Sequence, residues 1–497
     1  MGIYCNMLDS EKTTTTTTTA RPIVSIAAIS SLKFPFKLTK DQLEAVDAWI
    51  SNGYKGSIIY STGTGKTEIA FECAKKAAEA MIQTIGSNVF NNDNNDRNTT
   101  DTLSQNNSNN NANSKNSFNI LFLVPRIILV DQNIKRLIKY GISQEHIGAY
   151  FGERKEVREI TISTYQSVIN NLDLIYNSNM VIFDEVHLVS DTATTLRKIF
   201  DVIVSMDRKN ALLGLTATID EHDTRYKTIV SLLPPVKKYM IRDAVKDKRL
   251  AKPVVNPIKV KLTHKEKRVY RECSAKIRNI SGYLNTSDPN SISALLKRGG
   301  HSAGLARAWF ANVKRRKNLV NCAENKLLAA TDLVITKHPS ERIMVFSETI
   351  ESIQKLKEIL QNKGIKSMII DSKLKSKERQ KILSEWGKEF FPLLSVHTLE
   401  IGYDIPEVRI AIILATTSNI NQIVQRIGRI IRKTEGKDTA LIYTIYLAQT
   451  HDASTLKMVT KATDPDKDRR QNNKHNRDMK RAINLSGYND SIDKYIF

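Results

Sequence analysis

Cysteine is scarce in this chain and scattered where it occurs. Cys5, Cys73, Cys273 and Cys322 form no C-x-x-C pair, which excludes a zinc or iron–sulfur site and a disulfide framework. That usage predicts a reducing, intracellular setting, cytoplasmic or at the nucleoid or nucleus. Long apolar runs are missing too, and no stretch approaches the ~18 residues of a membrane-spanning helix. Ile23 to Leu32 is apolar but short and lacks a basic segment directly before it, so it reads as a first strand or helix rather than a leader. Asn6 stands where a myristoylation signal needs Ser or Thr, which leaves Gly2 without that anchor. Acidic residues are in deficit as well, 52 against 75 Lys and Arg, for a net charge of +23. The deficit is local: between Lys237 and Val320 stand 22 basic and 5 acidic residues, a net +17. A charge so concentrated predicts a polyanionic partner, nucleic acid rather than a membrane.

The 497 residues suit two to four domains. Thr13 to Thr19 is a homopolymer, and residues 86–117 are dominated by Asn, Ser and Asp. Neither offers enough apolar surface to offset its ordering entropy, so both are expected to be disordered. Elsewhere short apolar runs alternate with helical patterns, the signature of parallel strands covered on both faces. Strands are predicted at 56–59, 120–124, 160–163, 180–183 and 211–215, and again at 342–346, 367–370, 393–396, 409–415 and 440–446. Residues 237–320 interrupt this rhythm and are polar, basic and helix-compatible. The predicted fold class is therefore α/β, with two parallel-sheet domains in tandem and a basic, mostly helical insertion between them. The expected boundaries are an N-terminal extension at 1–37, a first domain at 38–236, the insertion at 237–324, a second domain at 325–447 and a charged tail at 448–497.

The strand ending at Tyr60 runs into Ser61-Thr62-Gly63-Thr64-Gly65-Lys66-Thr67 and then a helical pattern. Glycines let backbone N–H groups converge on an anion, and the helix N-terminus adds its positive dipole end. Lys66 then suits the β/γ-phosphates of ATP, and the Thr67 hydroxyl suits Mg2+. The strict loop pattern has glycine at the place of Tyr60. Asp184-Glu185 ends a second apolar run, where a carboxylate is costly unless it meets a cation. Asp184 is the candidate metal holder and Glu185 the candidate base for an attacking water. Near the C-terminus, Gln425, Arg429 and Arg432 share one helical face by their spacing. Two guanidiniums gain little within their own domain, but across a cleft they can stabilise charge on a γ-phosphate.

In order along 38–447, these pieces resemble the superfamily 2 helicases and translocases, and within them the XPB-like group. The resemblance implies two RecA-like domains, with Gln42 reading adenine and Thr62, Gly63, Thr64, Gly65, Lys66 and Thr67 as the P-loop. Asp184-Glu185-Val186-His187 resembles the DEVH box, and Thr216-Ala217-Thr218 the motif that, with His187, links hydrolysis to movement. Gly402 and Asp404, in Gly402-Tyr403-Asp404-Ile405-Pro406, resemble a nucleotide-sensing motif, and Gln425 to Arg432 the arginine-finger motif. Arg126, Ser163, Thr164 and Thr398 are expected to contact backbone phosphate, blind to base sequence. Lys314, Arg315, Arg316 and Lys317, after Trp309-Phe310, mix charge with aromatic surface and suit a thumb over nucleic acid. The implied activity is ATP hydrolysis driving translocation or unwinding, on DNA before RNA, with a non-catalytic clamp as the reading from another class. Glu221-His222-Asp223 replaces the group's Arg-Glu-Asp signature, and residues 1–37 are too few for its damage-recognition domain.

Overall fold

The computed structural model describes residues 27–92, 118–206, 210–219, 223–371, 373–396, 407–415, 420–448 and 450–463, with side chains 84–92, 376, 420 and 421 left out. The first sheet is built from β1 (Lys55–Tyr60), β2 (Ile120–Val124), β3 (Ile147–Phe151), β4 (Arg154–Lys155), β5 (Ile160–Thr164), β6 (Met180–Asp184), β7 (Ala211–Thr216) and β8 (Pro235–Tyr239). Their order is β4-β3-β5-β2-β6-β7-β1-β8, and only the β3–β4 pair is antiparallel. The second sheet contains β9 (Lys252–Val260), β10 (Ile343–Ser347), β11 (Met368–Ile370), β12 (Pro392–Val396), β13 (Ile410–Ile413) and β14 (Thr439–Leu447). Its order is β11-β12-β10-β13-β14-β9, parallel throughout. Every residue of β2, β5, β10, β12 and β13 is buried, as strands with helices on both faces require. The fold is thus two parallel-sheet α/β domains in tandem, as the alternation predicts.

Several expected boundaries fall elsewhere. β8 extends the first sheet to Tyr239, and β9 is a strand of the second sheet, although the end of β8 and all of β9 stand in the segment expected to be linker. The signal in β9 is obscured by Pro253 and Pro257, which lack an N–H and are tolerated because β9 is an edge strand. The helix after the glycine loop runs Lys66–Asn92, past the expected start of the Asn-rich loop at 86. The helix Ser376–Glu385 stops where Trp386 leaves the helical region and Gly387 turns at φ 83°. Beyond 447, the helix Ala453–Thr463 buries Thr455, Val459, Ala462 and Thr463, so the second domain's packing continues into the expected tail. Before residue 38, Ala28 N–H donates to Glu159 and Lys33 N–H to Tyr140 O, tying that segment to the first domain. The Thr tract, residues 93–117 and 464–497 lie outside the described residues.

The insertion is a helical unit, His264–Leu284, Pro289–Arg298 and Gly300–Asn321. Thr263 and Glu266 form a capping box at the first start, and Asp288 caps the second ahead of Pro289. Ile277, Ile292, Ala306 and Trp309 make its small core. No helix among the described residues is long and apolar enough to cross a membrane.

Candidate nucleotide cleft and nucleic-acid surface

In the first sheet β6, β7 and β1 lie side by side and point the same way. Asp184, Thr216 and Tyr60 therefore end three adjacent strands, at the sheet edge where α/β folds hold ligands. The chain turns there through Gly63 (φ 85°) and Gly65 (φ 87°), a left-handed backbone that L side chains rarely adopt, and the helix Lys66–Asn92 begins. Tyr60, where the strict loop has glycine, turns away from this edge. It is fully buried, its hydroxyl donates to Asp41 O at 2.6 Å, and its ring stacks on Tyr239 at 5.0 Å. The residue belongs to the core, and the anion-facing backbone begins after it.

A cleft of about 670 Å³ opens over the loop. Thr62, Gly63, Gly65, Lys66, Thr67, Asp184 and Glu185 line it from the first domain, and Gln425, Arg429 and Arg432 from the second. The domains touch at its rim, where Gly428 packs on the Thr62 side chain and a Cβ on Gly63 would lie 3.3 Å from Arg432 Cγ. Lys66 Nζ donates to Tyr60 O at 3.2 Å. Gln132, Asn133 and Arg136 also line the cleft, with Leu129, from the helix Ile127–Lys139; their spacing of three and four puts them on one face. That spacing was the signal for Arg136, which the sequence reading missed and which lies 3.9 Å from Glu68.

The electrostatics are those of a site that wants a cation beside an anion. Burial first, and the Glu185 carboxylate second, push Asp184 up to about 7, while Lys66 opposes them. Glu185 holds φ 53° and ψ 51°, a left-handed backbone that costs a non-glycine residue roughly 1–2 kcal/mol and occurs most often where function demands it. Its Oε2 is buried with no hydrogen-bond partner, 3.4 Å from His187 Nδ1. His187 is itself held neutral by burial, and its Nδ1 lies 3.0 Å from Thr216 Oγ1, which accepts from Thr218 N–H at 3.2 Å. On the facing helix, burial and then the charge of Arg432 pull Arg429 down to about 10, so it stays cationic at neutral pH and gains from an anion. Buried Lys437 donates to Ile430 O and Val408 O, both at 2.6 Å, and pins the C-terminal end of that helix. An orphaned carboxylate oxygen, a carboxyl disfavoured in its charged form and a nearby hydroxyl are a fit donor set for a divalent cation, and the glycine cradle fits a phosphate chain.

Other predicted residues are placed less directly. Gln42 is buried behind the loop, its amide donating to Thr64 O at 3.1 Å and its Oε1 accepting from Thr39 N–H. It is not among the residues lining the cleft. Ser163 donates to Tyr150 O, and Thr164 caps the short helix Tyr165–Ile169 and bonds Ser167 Oγ. Both hydroxyls are engaged and buried, since they end an interior strand, so neither presents a donor at the surface. Arg126 is exposed. Lys314 and Arg315 are exposed, whereas Arg316 bonds Ser274 Oγ and lies over the Tyr270 ring, and Lys317 pairs with Glu348 at 3.0 Å. Trp309, expected as stacking surface, is buried with its indole N–H on Ser281. Thr398, Gly402 and Asp404 lie outside the described residues, as do Glu221 and His222; Asp223 caps the next turn and pairs with Arg225.

The family model "Helicase conserved C-terminal domain" matches residues 325–434, and "Type III restriction enzyme, res subunit" matches 35–221. The chain is 23% identical over 422 residues to the DNA 3'-5' translocase XPB2 of Sulfurisphaera tokodaii, covering 82% of this chain and 83% of that one. It is 23% identical over 347 residues to the DNA 3'-5' helicase XPB of Mycobacterium tuberculosis, covering 67% of this chain and 54% of that one. The chain thus spans most of the archaeal relative and about half of the mycobacterial one. Its fold is similar to the Pyrococcus furiosus Hef helicase domain, with a TM-score of 0.53 and 17% identity over 85% of this chain and 99% of that one. By its two matched family models and its XPB-named relatives the chain is similar to the superfamily 2 helicases and their XPB-like group, and its two parallel-sheet domains share the tandem RecA-like fold of the Hef helicase domain.

Proposed function

We propose that this chain hydrolyses ATP in the cleft between its domains and uses the cycle to move along, or open, DNA. The observation that carries the reading is the shared lining of that cleft by Lys66, Thr67, Asp184 and Glu185 from one domain and Gln425, Arg429 and Arg432 from the other. Loop N–H groups and Lys66 bind the phosphates. Thr67 and Asp184 would hold Mg2+, which when bound offsets phosphate charge. Glu185, with a free buried oxygen, accepts the proton of the attacking water. Arg429 and Arg432 stabilise charge developing on the γ-phosphate, and Gln425 orients groups beside them. Because these residues belong to different domains, hydrolysis depends on closure. The His187–Thr216–Thr218 chain carries a change at Glu185 to the end of β7.

DNA is favoured over RNA because the XPB-named relatives are a DNA translocase and a DNA helicase, and the exposed Lys314, Arg315 and Arg126 supply sequence-blind phosphate contacts. The test is ATPase activity with single-stranded, duplex and forked DNA and with matched RNA, using Lys66→Ala as the blank. Stimulation by DNA above RNA is expected. Equal stimulation by RNA would move the assignment to an RNA helicase, and no Lys66-dependent hydrolysis would leave the clamp reading.

A further inference from the structure

Between the two sheets the chain passes through Lys248, Arg249, Leu250 and Ala251, and none of these belongs to a motif named above. Lys248 turns at φ 56°, and the N–H groups of Arg249 and Leu250 both reach Ala244 O, so the turn is fixed on the first domain. Arg249 then spreads its guanidinium beneath the P-loop. One nitrogen donates to the Asp41 carboxylate and to Thr39 Oγ1 at 3.0 Å, and the other to Thr64 O at 2.6 Å, with Tyr239 under the plane at 5.6 Å. Thr64 O also accepts from Gln42, so one loop carbonyl takes two donors from outside the loop.

The next two residues face the other domain. Leu250 forms an isolated antiparallel bridge with Arg432, and Ala251 N–H donates to Ile431 O at 2.8 Å. Both are buried. Leu250 Cδ2 and Arg432 Cγ both crowd Gly63, at 3.7 and 3.3 Å from a Cβ built there. Three consecutive residues therefore join the P-loop backbone to the end of the arginine-bearing helix.

We propose that Arg249 is a positioning residue that sets the register of Arg429 and Arg432 against the P-loop; this rests on the ATPase reading above. Only a planar fork can reach a carboxylate on one side and a carbonyl on the other, so a lysine, with one nitrogen, cannot replace it. Arg249 is not among the residues that line the cleft, so its loss acts through the facing arginines rather than through nucleotide contacts.

The test compares Arg249→Met and Arg249→Lys with wild type, alone and combined with Arg429→Lys. The readouts are equilibrium binding of a fluorescent ATP analogue and single-turnover hydrolysis with saturating DNA. Arg249→Met should lower the hydrolysis rate about 10–10²-fold, as sub-ångström to 1 Å misplacement does. Nucleotide affinity should stay within roughly threefold, and Arg249→Lys should fail to restore the rate. Combined with Arg429→Lys, Arg249→Met should cost little more, because residues acting as a unit are not additive. Additive losses, a wild-type rate, or a loss confined to nucleotide affinity would overturn the assignment. If Arg249→Met melts below the assay temperature, Asp41→Asn weakens one arm of the strut and is read by the same criteria. A wild-type chain without Lys66-dependent hydrolysis would instead sink the motor reading itself, before any Arg249 variant is compared.

Discussion

Gly428→Ala separates the proposed mechanism from ordinary stability effects. Gly428 lies inside the helix Ile420–Ile430, where alanine favours the helix by about 1 kcal/mol. On local grounds alone the variant should fold at least as well as wild type. Across the cleft it meets the P-loop: a Cβ at 428 would sit 2.7 Å from Thr62 Cβ and closer to Thr62 Oγ1. Since ordinary contacts begin at 3.4 Å, the Cβ pair alone demands a separation larger by 0.7 Å, and the hydroxyl demands more. Displacement of reacting groups by about 1 Å costs on the order of 10²-fold, and complete loss of an arginine finger about 10³–10⁵-fold. Gly428→Ala should therefore lower kcat about 10²-fold with DNA saturating, while ATP affinity, held largely by Lys66 and the loop, changes little. Adding Thr62→Ala removes the hydroxyl and methyl and should restore about tenfold of the loss. Steady-state ATPase, binding of a fluorescent analogue and a thermal melt read these quantities together. A wild-type kcat, or a kcat loss that tracks a lowered melting temperature, would refute the reasoning.

Glu185→Gln removes the proposed base but keeps the shape, so turnover should fall about 10²–10⁴-fold while ATP and DNA binding persist; a steady-state assay beside a binding titration checks this. Lys314→Gln with Arg315→Gln should weaken DNA binding and flatten its dependence on log salt by about 1 to 2, as each lost phosphate contact removes about 0.9 from the slope on duplex. Arg316→Gln, whose guanidinium is engaged with Ser274 and Tyr270, should change that slope less. Equal slopes for wild type and the Lys314/Arg315 variant would return those residues to solvated surface.

Much of this was legible in the sequence because parallel strands buried on both faces must be apolar throughout. The runs at 120–124, 180–183 and 342–346 could not be mistaken, and the glycine loop and acid pair announced themselves by standing at the ends of such runs. What escaped had a physical reason each time. β9 hides behind two prolines that only an edge strand tolerates. Tyr60 breaks the loop pattern yet serves the core, a difference set by Tyr239, which is far away in sequence. Ser163, Thr164 and Trp309 have the right chemistry for nucleic acid but spend it internally, on Tyr150 O, Ser167 and Ser281. Arg249 had no spacing to betray it, because all three hydrogen-bond partners of its side chain are remote in the chain.

The central claim is that catalysis needs arginines from the second domain in a pocket begun by the first. Single-turnover hydrolysis by Arg429→Gln, with ATP and DNA both saturating, tests it most directly. A fall of about 10³–10⁵-fold with nucleotide affinity retained is the predicted result. Hydrolysis at the wild-type rate would contradict the claim.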